Sequence, residues 1–322
     1  MSSLQIRALT NSDADYAARL TINKALNPTW ALTLEEIKDW DDWWDPQYHR
    51  YRFIAELAGE PVAMAECAEW PWWYEPGRYV LYIDVMPAFR RQGIGGKLYE
   101  QLLTTLHNVE PKGRILMCKC LEDQPESERF IRKRGFPLVG KEPAFMLDVP
   151  SFAAGKFADL LERVRQQGIE IINYDALVAR VPDWQQQCFE MHWASRQSMP
   201  ATGTHTRQTF EQYVQQTFVH KRFLPAMFFF ALDQGELVGE SSLLDQYDDL
   251  AHLHTDYTGV IPSHRRRGIA TALKVRVIQQ AQAHGVKTIR TGNHETNPMY
   301  QINLQLGFQP QPGELLFELK LA

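Results

Sequence analysis

The sequence predicts an α/β fold, a mixed α+β sheet with helices on both faces, built twice in one chain. Landmark phrases recur in the same order in the two halves. Each half alternates short apolar strand patterns with helical ones. The chain has 322 residues, 44% apolar and 23% charged, which suffices for two domains of about 150 residues each.

Taken in order, LQIRALTNSDADYAARL near residue 4 reads as a strand then a helix, matched by IEIINYDALVARVPDWQQQCF near 169. RFIAELAGEPVA (52–63) and FFFALDQGELVG (228–239) are paired strands joined by a glycine turn. IDVMPAFRRQGIGGKL (83–98) and TGVIPSHRRRGIATAL (258–273) each run from a strand through an arginine-rich turn into a helix. In the second copy Ile269, Leu273, Val277 and Ala281 mark the buried face, and Gly285 ends the helix. FIRKRGF (130–136) pairs with INLQLGF (302–308). FMLDV (145–149) is expected to close the first unit as a strand, and 152–168 to form a connecting helix on Phe157, Leu160, Leu161 and Val164, stopped by Gly168. The expected division is therefore 1–150, a helix over 151–167, and 168–322.

A formal net charge of −5 argues against a nucleic-acid partner, since no basic field surrounds the chain. The start lacks an apolar signal core and the longest apolar run, near PAMFFFAL, is too short to span a bilayer. The expectation is a cytoplasmic protein with no membrane partner, as a monomer or homodimer. Cys67, Cys118, Cys120 and Cys188 show no zinc or redox spacing and read as core thiols, so no metal is expected.

The arginine turns are the most informative feature. HRRRGIATAL (264–273) places Arg265, Arg266 and Arg267 before Gly268, Ile269 and Ala270 at a helix start. FRRQGIGGKL (89–98) does the same with Arg90, Arg91, Gln92, Gly93, Ile94, Gly95 and Gly96. A helix N-terminus leaves backbone N–H groups unpaired and carries partial positive charge. Small residues let a ligand approach the backbone, and arginines add full charge. Such a turn suits a phosphate or pyrophosphate. It is neither a Walker A loop nor a dinucleotide fingerprint, because no Gly-Lys-Ser/Thr and no G-x-G-x-x-G is present.

Both units resemble GNAT-type N-acetyltransferases (the acyl-CoA N-acyltransferase fold), whose signature is V-x-P-x-x-(Q/R)-x-x-G-x-(G/A). The resemblance covers nearly the whole chain as a tandem, similar in layout to mycothiol synthase and related two-domain GNAT proteins. TGNHETNPMYQINLQLGF near the end is similar to the closing phrase of that tandem group. The resemblance implies that the anion is the pyrophosphate of acetyl-CoA, acting as co-substrate. It also implies that the main chain around Val260 and Val85 pairs with the pantetheine arm where two strands splay apart. Asn293 and Asn297 are further implied CoA contacts, with capping of the last helix as the plain alternative.

Acetyl transfer to an amine needs a proton acceptor, because a free amine is mostly protonated at neutral pH. On the strand before the second turn, simple alternation places His252, His254, Asp256, Thr258 and Val260 on one face. The resemblance implies a base at His254, which Asp256 would tune. The same positions of the first unit read Tyr79, Leu81, Ile83 and Val85, so the second unit is expected to carry the chemistry. A GNAT proton-donor tyrosine would fall at Asn303, or at Ile131 in the first unit, so acid catalysis is left without its usual residue.

Seven of nine tryptophans lie in the first unit: Trp30, Trp40, Trp43, Trp44, Trp70, Trp72 and Trp73. With Glu69, Asp41 or Asp42 they would suit a cationic amine, although aromatic packing explains them as simply. The expected function is acetyl-CoA-dependent N-acetylation of a primary amine on a small molecule. The alternatives are a CoA-binding sensor without turnover and an acyltransferase using another acyl-CoA or an oxygen acceptor.

Overall fold

A computed structural model describes residues 3–27, 31–109, 114–197, 199, 205–245 and 249–321. The chain begins β1 (Leu4–Ala8), α1 (Asp13–Leu26), α2 (Leu34–Asp42), β2 (Arg50–Leu57), β3 (Glu60–Glu69), β4 (Arg78–Val85), α3 (Ile94–Val109), β5 (Arg114–Leu121), α4 (Pro125–Arg132) and β6 (Leu138–Asp148). It continues α5 (Ala158–Gln166), β7 (Ile169–Asn173), α6 (Tyr174–Arg180), α7 (Trp184–Arg196), α8 (Phe210–Val214), β8 (Phe228–Asp233), β9 (Glu236–Asp245), β10 (His252–Val260), α9 (Ile269–Ala283), β11 (Thr288–Gly292), α10 (Met299–Gln305) and β12 (Gln309–Leu321). Among the described residues no helix is long and apolar enough to cross a membrane, and all four cysteines are buried and free.

Two compact units emerge, but the division at 150 is replaced by an exchange of strands. The first comprises Met1–Val139 with Leu315–Ala322, and the second Gly140–Glu314. FMLDV does not close the first unit. As part of β6 it pairs antiparallel with β11, with Phe145 opposite Thr291 and Leu147 opposite Ile289. The physical reason is its apolar face: Phe145, Leu147 and Val149 complete the core formed by Val275, Ile278 and Ile289. The sixth strand of the first unit is instead β12, beside β5, whose Leu315 and Phe317 join the core of Leu98, Leu102 and Leu116. An apolar alternating strand looks the same in sequence whichever sheet it joins.

Each unit carries the same strand arrangement. In the first, β1 to β4 pair antiparallel in sequence and β4 pairs parallel with β5. In the second, β7 to β10 pair antiparallel and β10 pairs parallel with β11. The β2–β3 and β8–β9 hairpins both turn through two residues of positive φ, Ala58–Gly59 and Gln234–Gly235, the twist a two-residue hairpin favours. The helix over 158–166 is part of the second unit: its Leu160 and Val164 pack against Ile269 and Leu273 at the start of α9.

Candidate active site

In both units the parallel strands part company. β4 pairs with β5 only over Arg78–Val80, although it runs on to Val85. β10 pairs with β11 only over His252–His254, although it runs on to Val260. Each fork leaves one backbone edge of the longer strand without a strand partner, and each leads into the arginine turn. The turns match closely: φ is +65° at Arg91 and +82° at Gly93, against +63° at Arg266 and +84° at Gly268. A left-handed arginine costs about 1 kcal/mol, and alternation of this kind turns successive N–H groups toward one point, a concavity suited to an anion. Lengthy helices follow at Ile94 and Ile269.

The three arginines of the second turn do different jobs. Arg265 donates from Nε to the Val260 carbonyl (3.0 Å) and from Nη2 to the Ser195 carbonyl (3.0 Å), so it braces the turn. Arg267 donates to Asp233 and Gln167. Arg266 is exposed, with no side-chain partner among the described residues. In the first unit Arg90 braces the Val85 carbonyl in the same way (3.1 Å), Gln92 donates to Ala88, and Arg91 is exposed. Gly95 and Gly96 there make room for the chain's own side chains: a Cβ would come within 3.3 Å of the Phe130 ring and 3.4 Å of the Arg134 guanidinium, respectively. Ile94 and Ile269 are buried as helix anchors, and Ala270 is half-buried.

The expectation that His252, His254, Asp256, Thr258 and Val260 share one face is corrected. A β-bulge lies between Thr255, opposite Leu243, and Tyr257, opposite Ser242, with Asp256 as the extra residue. A bulge resets the alternation. His254 and Tyr257 therefore share the face of Leu244 and Ser242, whereas Thr258 bonds Ser241 (2.8 Å) and Val260 packs beneath α9. His254 is the last residue of β10 paired with β11, so it stands at the branch of the fork. Burial lowers its pKa below the ordinary 6.5, helped by the positive charges of Arg290 and Lys274. Lys274, itself buried on α9, is brought down to about 8 by desolvation.

Asn293 and Asn303 are brought together. Asn303 Nδ2 donates to Asn293 Oδ1 (3.0 Å), while Asn303 Oδ1 is buried without a partner among the described residues. Asn297 instead accepts from Met299 N (3.0 Å), in a turn that leads into α10.

Sequence reasoning missed the polar cluster, hereafter the cleft, that side chains of α7 and α8 form with those of β9 and β10. His192 Nδ1 meets Glu240 Oε1 at 2.6 Å. A carboxylate only accepts, so Nδ1 carries the proton and Nε2 is left as the basic nitrogen. Ser195 donates to the His192 carbonyl and so accepts from the Tyr257 hydroxyl (2.9 Å). Burial pushes that phenol up to about 12, keeping it protonated. Ser242 donates to Asp256 (3.0 Å), which is open to solvent yet desolvated enough to raise its carboxyl. The i, i+4 pair His192 and Arg196 was the available signal, but it gains meaning only beside Glu240, 48 residues away.

In the first unit two of the three acids expected to attract an amine are already engaged. Asp41 is held by Arg19 (2.6 Å), Arg50 (2.8 Å) and Arg52 (2.8 Å), and Glu69 accepts from the His49 backbone. Asp42 is exposed, and Trp30 lies outside the described residues. The other tryptophans of this unit pack on one another, Trp70 tilted against Trp72 (5.3 Å) and Trp40 edge-on to Trp72 (5.9 Å). By sequence His254 aligns with Tyr79, fully buried, but without a bulge in β4 its counterpart at the branch of the fork is Val80, the last residue paired with β5. β4 has no bulge, so Asp84 takes the opposite face from Val85, and burial near Glu66 pushes its carboxyl up to about 6. A raised carboxyl pKa means that ionisation costs the fold stability above pH 6 and not below the unfolded value of 3.8. Asp84→Asn is expected to stabilise the protein at pH 8 by about 2 kcal/mol, the linkage value discounted for partial exposure. Thermal unfolding at pH 8 and pH 4 checks this; an equal change at both would disprove the assignment.

The comparisons agree with this geometry. The chain matches the Acetyltransferase (GNAT) family over residues 20–136 and 180–308. No curated protein sequence matches it. It is similar to a tandem GNAT protein from the clavulanic acid biosynthesis pathway, 18% identical with a TM-score of 0.73, covering 99% of this chain and 98% of that one. It is also similar to a GCN5-related N-acetyltransferase from Sphaerobacter thermophilus, 16% identical with a TM-score of 0.68, covering 98% of this chain and 95% of that one. With the family matched in both halves and the strand arrangement duplicated around two forks, the chain belongs to the GNAT family of acyl-CoA-dependent N-acetyltransferases, as two such domains in tandem.

Proposed function

We propose that the protein transfers the acetyl group of acetyl-CoA to the primary amine of a small molecule, and that the chemistry belongs to the second unit. The observation that carries this is the fork at His254. An imidazole kept neutral by burial stands where β10 and β11 part, and the unpaired edge of β10 leads from it to the anion-suited turn. The first unit has the same fork, but with Val80, which carries no titratable group, at its branch and with Phe130 and Arg134 over its glycines.

Residues 255–260 would pair their main chain with the pantetheine arm, and the 266–270 backbone with Arg266 would hold the pyrophosphate. Asn303 Oδ1, buried and unpaired among the described residues, is free to accept from the arm. In the transfer, the amine nitrogen forms a bond to the acetyl carbon as the carbon–sulfur bond breaks. His254 takes the amine proton, and the sulfur leaves as a thiolate that is then protonated. A thiolate is a fair leaving group, which lessens the need for the missing tyrosine.

Calorimetry with acetyl-CoA, run beside a thiol-release assay on a panel of amines, tests this reading. Binding accompanied by amine-dependent release is expected. Tight binding with no release across a broad panel would favour a sensor.

A further inference from the structure

Among the described residues, four polar side chains gather over β9 and β10, and two of them are paired with each other. His192 and Glu240 form one close pair. Asp256 and Arg196 remain. Among the described residues, Asp256 takes a single hydroxyl, from Ser242. Arg196, the last residue of α7 and half-buried, takes no side-chain hydrogen bond or ion pair among the described residues. Tyr257, Asp256 and Glu240 are close enough to act on its charge, yet burial outweighs them. A guanidinium cannot shed its charge to escape burial, so a site that keeps one unpaired is built to receive an anion.

The surroundings are held rigid. Ser195, next to Arg196 on α7, bonds Tyr257 through its hydroxyl and receives Arg265 on its carbonyl. One side chain therefore fixes the end of α7 against the turn assigned to CoA. A Cβ on Gly259 would collide with the Tyr257 ring and come within 2.7 Å of Ser195 Oγ, so the space there is filled. A second observation points independently to a ligand. The Tyr213 hydroxyl, on a side chain 1% exposed, has no partner among the described residues, and it lies near Glu240, Asp256 and Tyr257 with its ring 5.2 Å from that of His192.

Two unpaired charges of opposite sign in one cleft call for a ligand bearing both. We propose that the acceptor of the second unit is an amino acid or a similar zwitterion, with Arg196 holding its carboxylate and Asp256 its ammonium group. The planar guanidinium fork matches a carboxylate through two parallel hydrogen bonds. Arg196 is thereby a specificity residue, and His192 with Glu240 forms a wall of the same site. This proposal rests on the acetyl-transfer reading above.

The test compares free L-amino acids with their α-carboxamides, using wild type and Arg196→Gln. Thiol release gives kcat and KM, tryptophan fluorescence gives acceptor affinity without turnover, and acetyl-CoA affinity is measured in parallel. In wild type the free acids are expected to exceed the amides about 100-fold in kcat/KM, mostly through KM, as for loss of one charge-assisted pair. In Arg196→Gln that ratio should fall to within about threefold, with acetyl-CoA binding unchanged. Equal use of acids and amides by wild type, or a preference that survives in Arg196→Gln, would overturn the proposal while leaving acetyl transfer intact. Failure of every amine to release thiol would instead overturn acetyl transfer. The fluorescence titrations then decide the zwitterion site separately, through the same acid-over-amide preference and its loss in Arg196→Gln.

Discussion

Replacing His254 with alanine is expected to lower kcat about 100- to 1,000-fold, the range for loss of a positioned base, while leaving acetyl-CoA affinity within about twofold. The separation follows from its position. His254 ends the paired part of β10, so it stands at the branch of the fork, whereas the turn assigned to CoA begins beyond Val260. The pH dependence has a definite sign. Burial lowers the imidazole pKa, so the neutral, proton-accepting form persists below the ordinary 6.5. Activity should be flat in this group from pH 7 to 8 and fall only as acid protonates the ring beneath 6.5. Stability follows the same direction, because the unfolded chain binds that proton more readily than the folded one. The rival is His192, whose Nε2 is the basic nitrogen once Glu240 holds Nδ1. His192→Ala is the control: if it loses turnover and His254→Ala keeps it, the base is His192.

Much of this was legible in the sequence because local chemistry dictated it. A strand ending in V-x-P, an arginine turn and a glycine before an apolar helix fix a loop whichever strand lies beside them. The duplication was visible for that reason. Pairing across distance was not. Nothing in FMLDV distinguishes a last strand of the first unit from a neighbour of β11, since both demand the same alternation. The bulge at Asp256 was equally hidden, because a run of polar residues with histidines tolerates either register, and strict alternation was the simpler expectation. That one extra residue moved Val260 off the face of His254 and brought Tyr257 onto it. The cleft was illegible for a related reason: α7, α8, β9 and β10 each supply one or two polar groups, and none of those groups is unusual alone. Asp41 taught the reverse lesson. An acid among tryptophans suggests an amine site until three arginines are found on it.

Arg266→Glu is expected to weaken acetyl-CoA binding about 100-fold, as a reversed charge beside a pyrophosphate should, with the loss shrinking at high salt. The structure selects this residue over its neighbours. Arg265 is committed to the Val260 and Ser195 carbonyls, so its removal would disturb the turn and α7 together. Arg267 is committed to Asp233 and Gln167, and Arg267→Gln should change affinity no more than about threefold. Gly268→Asp is a poorer test. Its φ of +84° penalises any side chain, and a Cβ would press within 3.4 Å of Leu160 and Val164, so lost binding could reflect lost packing. Arg266 is exposed and already left-handed, and glutamate there removes no packing. The matching variant, Arg91→Glu, separates the two copies. If the second unit alone turns over acetyl-CoA, Arg91→Glu keeps wild-type kcat and KM, while Arg266→Glu raises the KM for acetyl-CoA. The opposite pattern would move the chemistry to the first unit, where Asp84, with its carboxyl raised to about 6, would then be the candidate proton acceptor.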